Sequence, residues 1–272
     1  MKKLGLIAGA GELPFAVAAE ARAGGRTVLA IGLESITDPA LAASVDEIRW
    51  INIGKLGALI DTLHKAGITE AVFAGKVHKS VIYKGKVVPD VRLVRLLFSL
   101  NNKSDDSIML GITHELEREG ILLLNTTDFT TRLMAPEGVM TKRKPSKDDY
   151  KDIAFGWRIA KEIGRLDIGQ TVIIKKQAVM AIEAIEGTDE AIKRGGKLAV
   201  DGAVVIKISK PQQDMRFDVP VVGTETLRSM AAVRAKVLVI EAARSILLNR
   251  NEFVQEANRA GLAVIGYRET EA

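Results

Sequence analysis

The chain has 272 residues, 47% of them hydrophobic and 27% charged, with a formal net charge of +5 and no cysteine. That length suits two domains of ordinary size, and the missing cysteines exclude a disulfide framework, a thiolate metal centre and a thiol nucleophile. Aromatic residues are only 4% and the basic residues are scattered, so stacking platforms for nucleic acid are not expected; the basic balance suits a phosphorylated small substrate or an anionic membrane surface.

The N-terminus "MKKLGLIAGAG" has two lysines and an apolar run. The run is short and meets Gly9, Gly11, Glu12 and Pro14, so it reads as a strand and a turn, not as a targeting segment. "LPFAVAAEARAGG" reads as a helix, "TVLAIGL" and "IRWINIG" as strands, "KLGALIDTLHKAG" as a helix and "EAVFAGKV" as a strand. Two helices, "VPDVRLVRLLFSLNN" and "DDSIMLGITHELEREG", and the strand "ILLLNTT" follow. Strands alternating with helices predict right-handed crossovers and a Rossmann-like parallel sheet over residues 1–134. In "VRLVRLLFSL" the broad apolar arc predicts a buried helix, a membrane-interface helix being the other reading.

"APEGVMTKRKPSKDDY" has Pro136, Gly138, Pro145 and mixed charge, and no apolar period. It predicts a linker over 135–150. Beyond it, an amphipathic helix precedes two adjacent strands with a turn near Lys176 and Gln177, and strands and helices then alternate to "LAVIGY". Residues 151–272 therefore predict a second α/β domain with a mixed sheet. No run is long and apolar enough to span a bilayer, which together with the missing disulfides predicts a cytoplasmic protein.

"IAGAGELP" begins like the dinucleotide fingerprint Gly-x-Gly-x-x-Gly, but Pro14 stands at the third glycine. Gly9 and Gly11 allow a sharp turn and a close ligand approach, while a third glycine is what permits tight helix–strand packing around a dinucleotide. Glu12 at the positive helix end would repel a pyrophosphate. A structural turn, or contact with another phosphate, is therefore expected in place of NAD(P) binding by an oxidoreductase.

The second domain carries more chemistry. "LDIGQ" supplies Asp167 and Gln170; "AIEAIEGTDEAIKR" supplies Glu183, Glu186, Thr188, Asp189 and Arg194. Glu183 shares a strand face with Ala181 and Ile185, an apolar setting in which a carboxylate is paired or working. Thr188 can be read as a helix cap. "KPQQDMRFDVPVVG" supplies Lys210, Gln213, Asp214, Arg216 and Asp218. Spaced by two, Asp214, Arg216 and Asp218 share one side of an extended segment, which suits a divalent cation beside an anionic substrate or a solvated edge strand with ion pairs. Carboxylates without cysteine point to hard cations, magnesium or manganese. His64 and His114 read as surface residues; His78 is better placed as a ligand.

"LGLIAGAGELP", "DD" at 105–106, "LDIGQTVIIKKQAVMAIEAIEGTDEAIKR" and "KPQQDMRFDVPVVGTETL" together resemble the LpxI family of UDP-2,3-diacylglucosamine pyrophosphatases. The likeness runs from the first strand to the last. It implies hydrolysis of UDP-2,3-diacylglucosamine to UMP and 2,3-diacylglucosamine 1-phosphate in lipid A biosynthesis, with Mg2+ or Mn2+ and with water attacking the phosphorus nearer the sugar. It implies Asp214 and Asp218 as catalytic or metal-binding candidates; beside them, Lys210 and Arg216 are expected to stabilise charge developing on the phosphoryl oxygens, and Glu183 is expected as a further metal ligand. Gly9, Gly11, Gln170, Thr188, Asp189 and Gln213 are the expected substrate contacts. The lipid substrate suggests peripheral association with the inner membrane, and self-association stays open. A nucleotide- or lipid-binding module without turnover is the alternative from another class.

Overall fold

The computed structural model describes residues 2–77, 88–102 and 105–269. They divide into a first unit, Met1–Thr130 with Met215–Phe217, and a second, Thr131–Asp214 with Asp218–Ala272. His78, singled out above, lies outside the described residues, and the side chains at 105–106 are likewise not described.

In the first unit, β1 (Lys3–Ala8), β2 (Thr27–Leu33), β3 (Glu47–Ile51), β4 (Glu70–Ala74) and β5 (Leu122–Leu123) pair in the order β3-β2-β1-β4-β5, every pair parallel. The helices are α1 (Leu13–Ala23), α2 (Leu56–Lys65), α3 (Val91–Ser99) and α4 (Asp105–Arg118). The central strands read as near-continuous apolar runs because both faces of a parallel sheet are covered. Strand order reverses between β1 and β4, which is where an open α/β sheet usually takes a ligand. This is the Rossmann-like layout expected from the alternating pattern.

The expectation for α3 needs correction. Only Leu96 is buried on it, while Val91 is 67% and Phe98 84% exposed. The apolar arc is wider than the face its neighbour covers. Arg92 leaves the solvent side to pair with Glu115, at 3.1 Å, and with Glu119.

In the second unit, β6 (Gly138–Val139), β7 (Thr171–Lys175), β8 (Ala178–Ile182), β9 (Val204–Lys207), β11 (Val237–Glu241) and β13 (Ala263–Tyr267) form a six-stranded sheet in the order β6-β13-β11-β9-β7-β8. β9, β11 and β13 are parallel; β6, β7 and β8 run antiparallel to their neighbours. β10 (Val221–Val222) and β12 (Ile246–Leu247) make a separate short parallel pair. Helix α5 (Lys147–Arg165) covers one face, packing Ile153, Trp157 and Ala160 on Val204, Ile206 and Val239. Helices α6 (Thr188–Ala199), α7 (Thr224–Ala232) and α8 (Arg250–Arg259) cover the other, where Ile192, Leu227 and Phe253 meet Val205, Leu238 and Val264. Successive strand residues thus serve opposite cores, which gives the mixed α/β sandwich its two apolar layers. The β7–β8 turn falls at Lys176 and Gln177, both at positive φ (50° and 56°), the conformation of a two-residue primed turn.

The predicted linker is also corrected. Residues 135–150 belong to the second unit: β6 extends its sheet, Ala135 is buried and donates to Ser245 O at 2.8 Å, and Thr141 Oγ1 accepts from Val264 N at 2.9 Å. α5 begins within the stretch, at a Ser146–Asp149 capping box. A segment stitched by backbone bonds needs no apolar period, so composition alone mistakes it for a tether.

Candidate functional site

The opening loop comes first in the chain. Gly9 donates to Ala74 O at 2.7 Å, and Ala10 and Lys76 exchange both backbone bonds at 2.8 and 2.9 Å. A Cβ on Gly9 would stand 2.7 Å from Lys76 O. The close approach that a glycine permits is therefore used between the β1 and β4 loops, at the switch point itself. Gly11 turns the chain at φ +94°, and Pro14 sits in the first turn of α1. The fingerprint's beginning is accounted for as a turn.

Polar groups gather instead at one edge of the second sheet. β9 and β11 end there at Lys207 and Glu241, β7 begins there at Thr171, and β8 ends there just before Glu183. Antiparallel pairing brings Thr171 opposite Lys207, and Glu183 N donates to Thr171 O at 2.9 Å. Gly169 makes this possible, since a Cβ there would fall 2.1 Å from Glu183 O. The "LDIGQ" glycine is a packing requirement of the loop that carries Glu183.

Glu183, Thr188 and Lys207 form a connected group. Glu183 is 7% exposed; Thr188 Oγ1 donates to its Oε1 at 2.9 Å and accepts from Lys207 Nζ at 3.2 Å. Lys207 is equally buried and also donates to Val221 O at 3.4 Å. The N-cap of α6 is Gly187, at φ 84°, so Thr188 is not the cap read from sequence: as the first helical residue it turns its hydroxyl to Glu183. Around the group, Glu183 Oε2, Asp189 Oδ1, Gln170 Oε1 and Thr171 Oγ1 are buried without a hydrogen-bond partner. Buried acceptors left open in a folded protein are uncommon and call for a reason, such as a ligand. The loop is braced from outside by Arg194, which donates to Ile182 O at 2.8 Å and pairs with Glu186. That hydrogen bond holds the Glu186 carboxyl below the usual range.

The "QDMRFD" stretch is not extended. Asp218 N donates to Asp214 O at 2.9 Å, so the backbone turns between them and the spacing by two creates no common face. Arg216 belongs to the first unit, where it pairs with Glu117 at 3.1 Å and its carbonyl accepts from Thr126 Oγ1 at 3.0 Å. Asp214 and Asp218 belong to the second. Gln213, expected to touch substrate, spends its amide inside the fold: Oε1 accepts from Ser209 Oγ and Lys210 N at 3.0 and 2.8 Å, and Nε2 donates to Asp218 Oδ2 at 2.7 Å. Lys210 Nζ reaches Asp167 at 2.7 Å.

The three predicted metal ligands do not form one centre. Glu183 is engaged with Thr188 and Asp218 with Gln213, and among the described residues no three His, Asp or Glu side chains converge as a cation site. The donor chemistry still fits magnesium in its usual manner, through one or two carboxylates completed by substrate phosphates.

Lys207, Ser209 and Glu241 were missed from sequence. The available signal was charge at the ends of buried runs, "AVVIK" and "VLVIE", since a lysine or glutamate closing a fully apolar strand must find a buried partner.

Comparison with known proteins agrees along the whole chain. Residues 3–133 match the LpxI N-terminal domain and residues 136–265 the LpxI C-terminal domain. The UDP-2,3-diacylglucosamine pyrophosphatase LpxI of Caulobacter vibrioides is 33% identical over 277 aligned residues, covering 98% of each chain. The fold, the motifs and these matches together show that the chain belongs to the LpxI family.

Proposed function

We propose that this protein hydrolyses the pyrophosphate bond of UDP-2,3-diacylglucosamine, giving UMP and 2,3-diacylglucosamine 1-phosphate for lipid A biosynthesis. The observation that carries the reading is the buried Glu183–Thr188–Lys207 group, with open acceptors around it, at an edge where parallel strands end. Its family membership and its relative's activity support the choice of substrate.

The chemical demand is to bring water onto a phosphorus shielded by negative oxygens. Lys207, buried and fixed by Thr188, supplies positive charge that needs no reorganisation when charge develops on the phosphoryl oxygens. Lys210 adds a second cation at the same sheet edge. Asp218, which accepts from Gln213, is the residue we assign to accept the proton from water. Glu183 Oε2 and Asp189 Oδ1 offer acceptors to a donor on the ligand. Bound magnesium or manganese would neutralise phosphate charge and acidify water. Water oxygen ends on the sugar-side phosphate, and UMP leaves with the bridging oxygen.

No helix among the described residues is long and apolar enough to cross a membrane. Peripheral contact with the cytoplasmic face of the inner membrane is part of this proposal: α3 exposes Val91, Arg95 and Phe98 on one side.

The test is UMP release from the lipid substrate in mixed micelles with Mg2+, with and without EDTA, in 18O-labelled water. Label in the lipid phosphate and loss of turnover in EDTA are expected. Binding without UMP release would leave a non-catalytic module, and label in UMP would reverse the site of attack.

A further inference from the structure

We infer that Gln213 is a positioning residue that presents a hydrogen-bond donor to Asp218, held in that orientation by a relay running back to Glu241 and Lys161. The inference rests on the role proposed above for Asp218.

The orientation of a glutamine amide is normally ambiguous, because its oxygen and nitrogen look alike. Here chemistry settles it. The backbone N–H of Lys210 can only donate, so the Gln213 atom 2.8 Å from it must be the oxygen. Ser209 Oγ donates to the same oxygen at 3.0 Å. The amide nitrogen then faces Asp218 Oδ2 at 2.7 Å, and a nitrogen that can only donate meets a carboxylate oxygen as acceptor.

The atoms that orient Gln213 are themselves fixed. Ser209 N donates to Glu241 Oε2 at 2.8 Å, while Glu241 Oε1 accepts from Lys161 Nζ at 2.7 Å. Ser209 is fully buried, Glu241 is 7% and Gln213 9% exposed. Lys161 lies over the Trp157 ring, 5.1 Å from its centroid, which anchors the far end of the relay in the core beneath α5. The turn that carries Asp218 has no strand ladder of its own, so this side-chain chain supplies the rigidity a strand would give.

Two substitutions separate a donor role from simple packing. Gln213→Glu keeps the size and the oxygen that meets Ser209 and Lys210, but sets an acceptor against Asp218. Gln213→Leu removes the donor without adding a repulsive group. The relay predicts that Q213E is the worse enzyme, with kcat lower by about 100-fold against about tenfold for Q213L, and KM within about threefold for both. A packing role predicts the opposite order, because glutamate is the better fit. Ser209→Ala should cost about threefold in kcat alone and nothing further in the Q213L background, as expected of residues acting through one another. Q213L equal to or worse than Q213E, or additive effects of S209A and Q213L, would overturn the inference. Asp218→Asn separates the two readings. An inactive D218N beside near-normal Gln213 variants defeats this inference alone, whereas an active D218N defeats the proposed role of Asp218 first.

Discussion

Replacing Glu183 by glutamine gives a prediction in which stability and activity should part company. In the folded protein Oε1 has one hydrogen bond, from Thr188, and Oε2 is buried with none. A hydrogen bond to a charged acceptor contributes about 1.5–3 kcal/mol and one to a neutral acceptor about 0.5–1.5, so the change costs about 1–1.5 kcal/mol. Against this, burying an ion carries an effective penalty of several kcal/mol, only partly offset here by Lys207 on the far side of Thr188. Relief of that penalty at least offsets the weaker hydrogen bond, so E183Q should lose no more than about 1 kcal/mol relative to wild type. If the open oxygen serves ligand or water, UMP release should fall by at least ~10²-fold, about 2.7 kcal/mol of lost transition-state stabilisation. Urea midpoints at unchanged slope measure the first quantity and steady-state kinetics the second. An E183Q protein that loses more than about 2 kcal/mol and keeps its turnover would show Glu183 to be only a strap for the α6 loop, and the reasoning would fail.

Asp152 is 6% exposed and accepts from Lys176 N at 3.0 Å and Gln177 N at 2.7 Å, holding both residues of the β7–β8 turn. Asp152→Ala should destabilise by about 2–4 kcal/mol and Asp152→Asn by roughly half, read from urea midpoints. For Asp149, burial pushes the carboxyl up, but the hydrogen bonds from Lys236 and Ser146 outweigh it and leave the pKa lowered. A lowered folded pKa contributes stability that is complete above the unfolded value, near 3.8, and is lost as pH falls through the folded value. Asp149→Asn should therefore lower stability at neutral pH and flatten its loss below about pH 4, as thermal melts across pH would show. Gly9→Ala should destabilise the first unit by about 1–3 kcal/mol, because its Cβ would press on Lys76 O at 2.7 Å. An unchanged melting temperature would mean that the two loops separate without cost.

The parts of the fold that were legible in sequence are those with a period or a punctuation mark. Continuous apolar strands bounded by Gly24, Gly67 and Gly120 announce a covered parallel sheet, and the β7–β8 turn shows where Lys176 and Gln177 interrupt two β-rich runs. The site was legible by residue type and not by arrangement. Glu183, Thr188 and Asp189 stand out as polar groups beside apolar runs, yet their partner Lys207 looks like an ordinary strand end. Asp214, Arg216 and Asp218 suggest a common face only if the chain is straight, and the bond from Asp218 N to Asp214 O bends it. Periodicity likewise reports which side of α3 is apolar, while whether a neighbour covers that side depends on contacts distant in sequence.

The two sheets put the same architectural opportunity to different use. Parallel strands bring their carboxyl ends to one edge, where loops can meet a ligand. In the first sheet the reversal point between β1 and β4 is bridged by the paired backbones of Ala10 and Lys76, with Gly9 and Gly75 allowing that contact. In the second, the strand ends carry Lys207 and Glu241, and the next residues along the chain carry Ser209 and Gln213. A backbone bridge satisfies the polar groups of Ala10 and Lys76 within the fold. Buried side chains with open acceptors leave a deficit that a ligand can fill. That asymmetry sets the fingerprint-like glycine loop that opens the chain apart from the buried polar group that assembles more than 160 residues later.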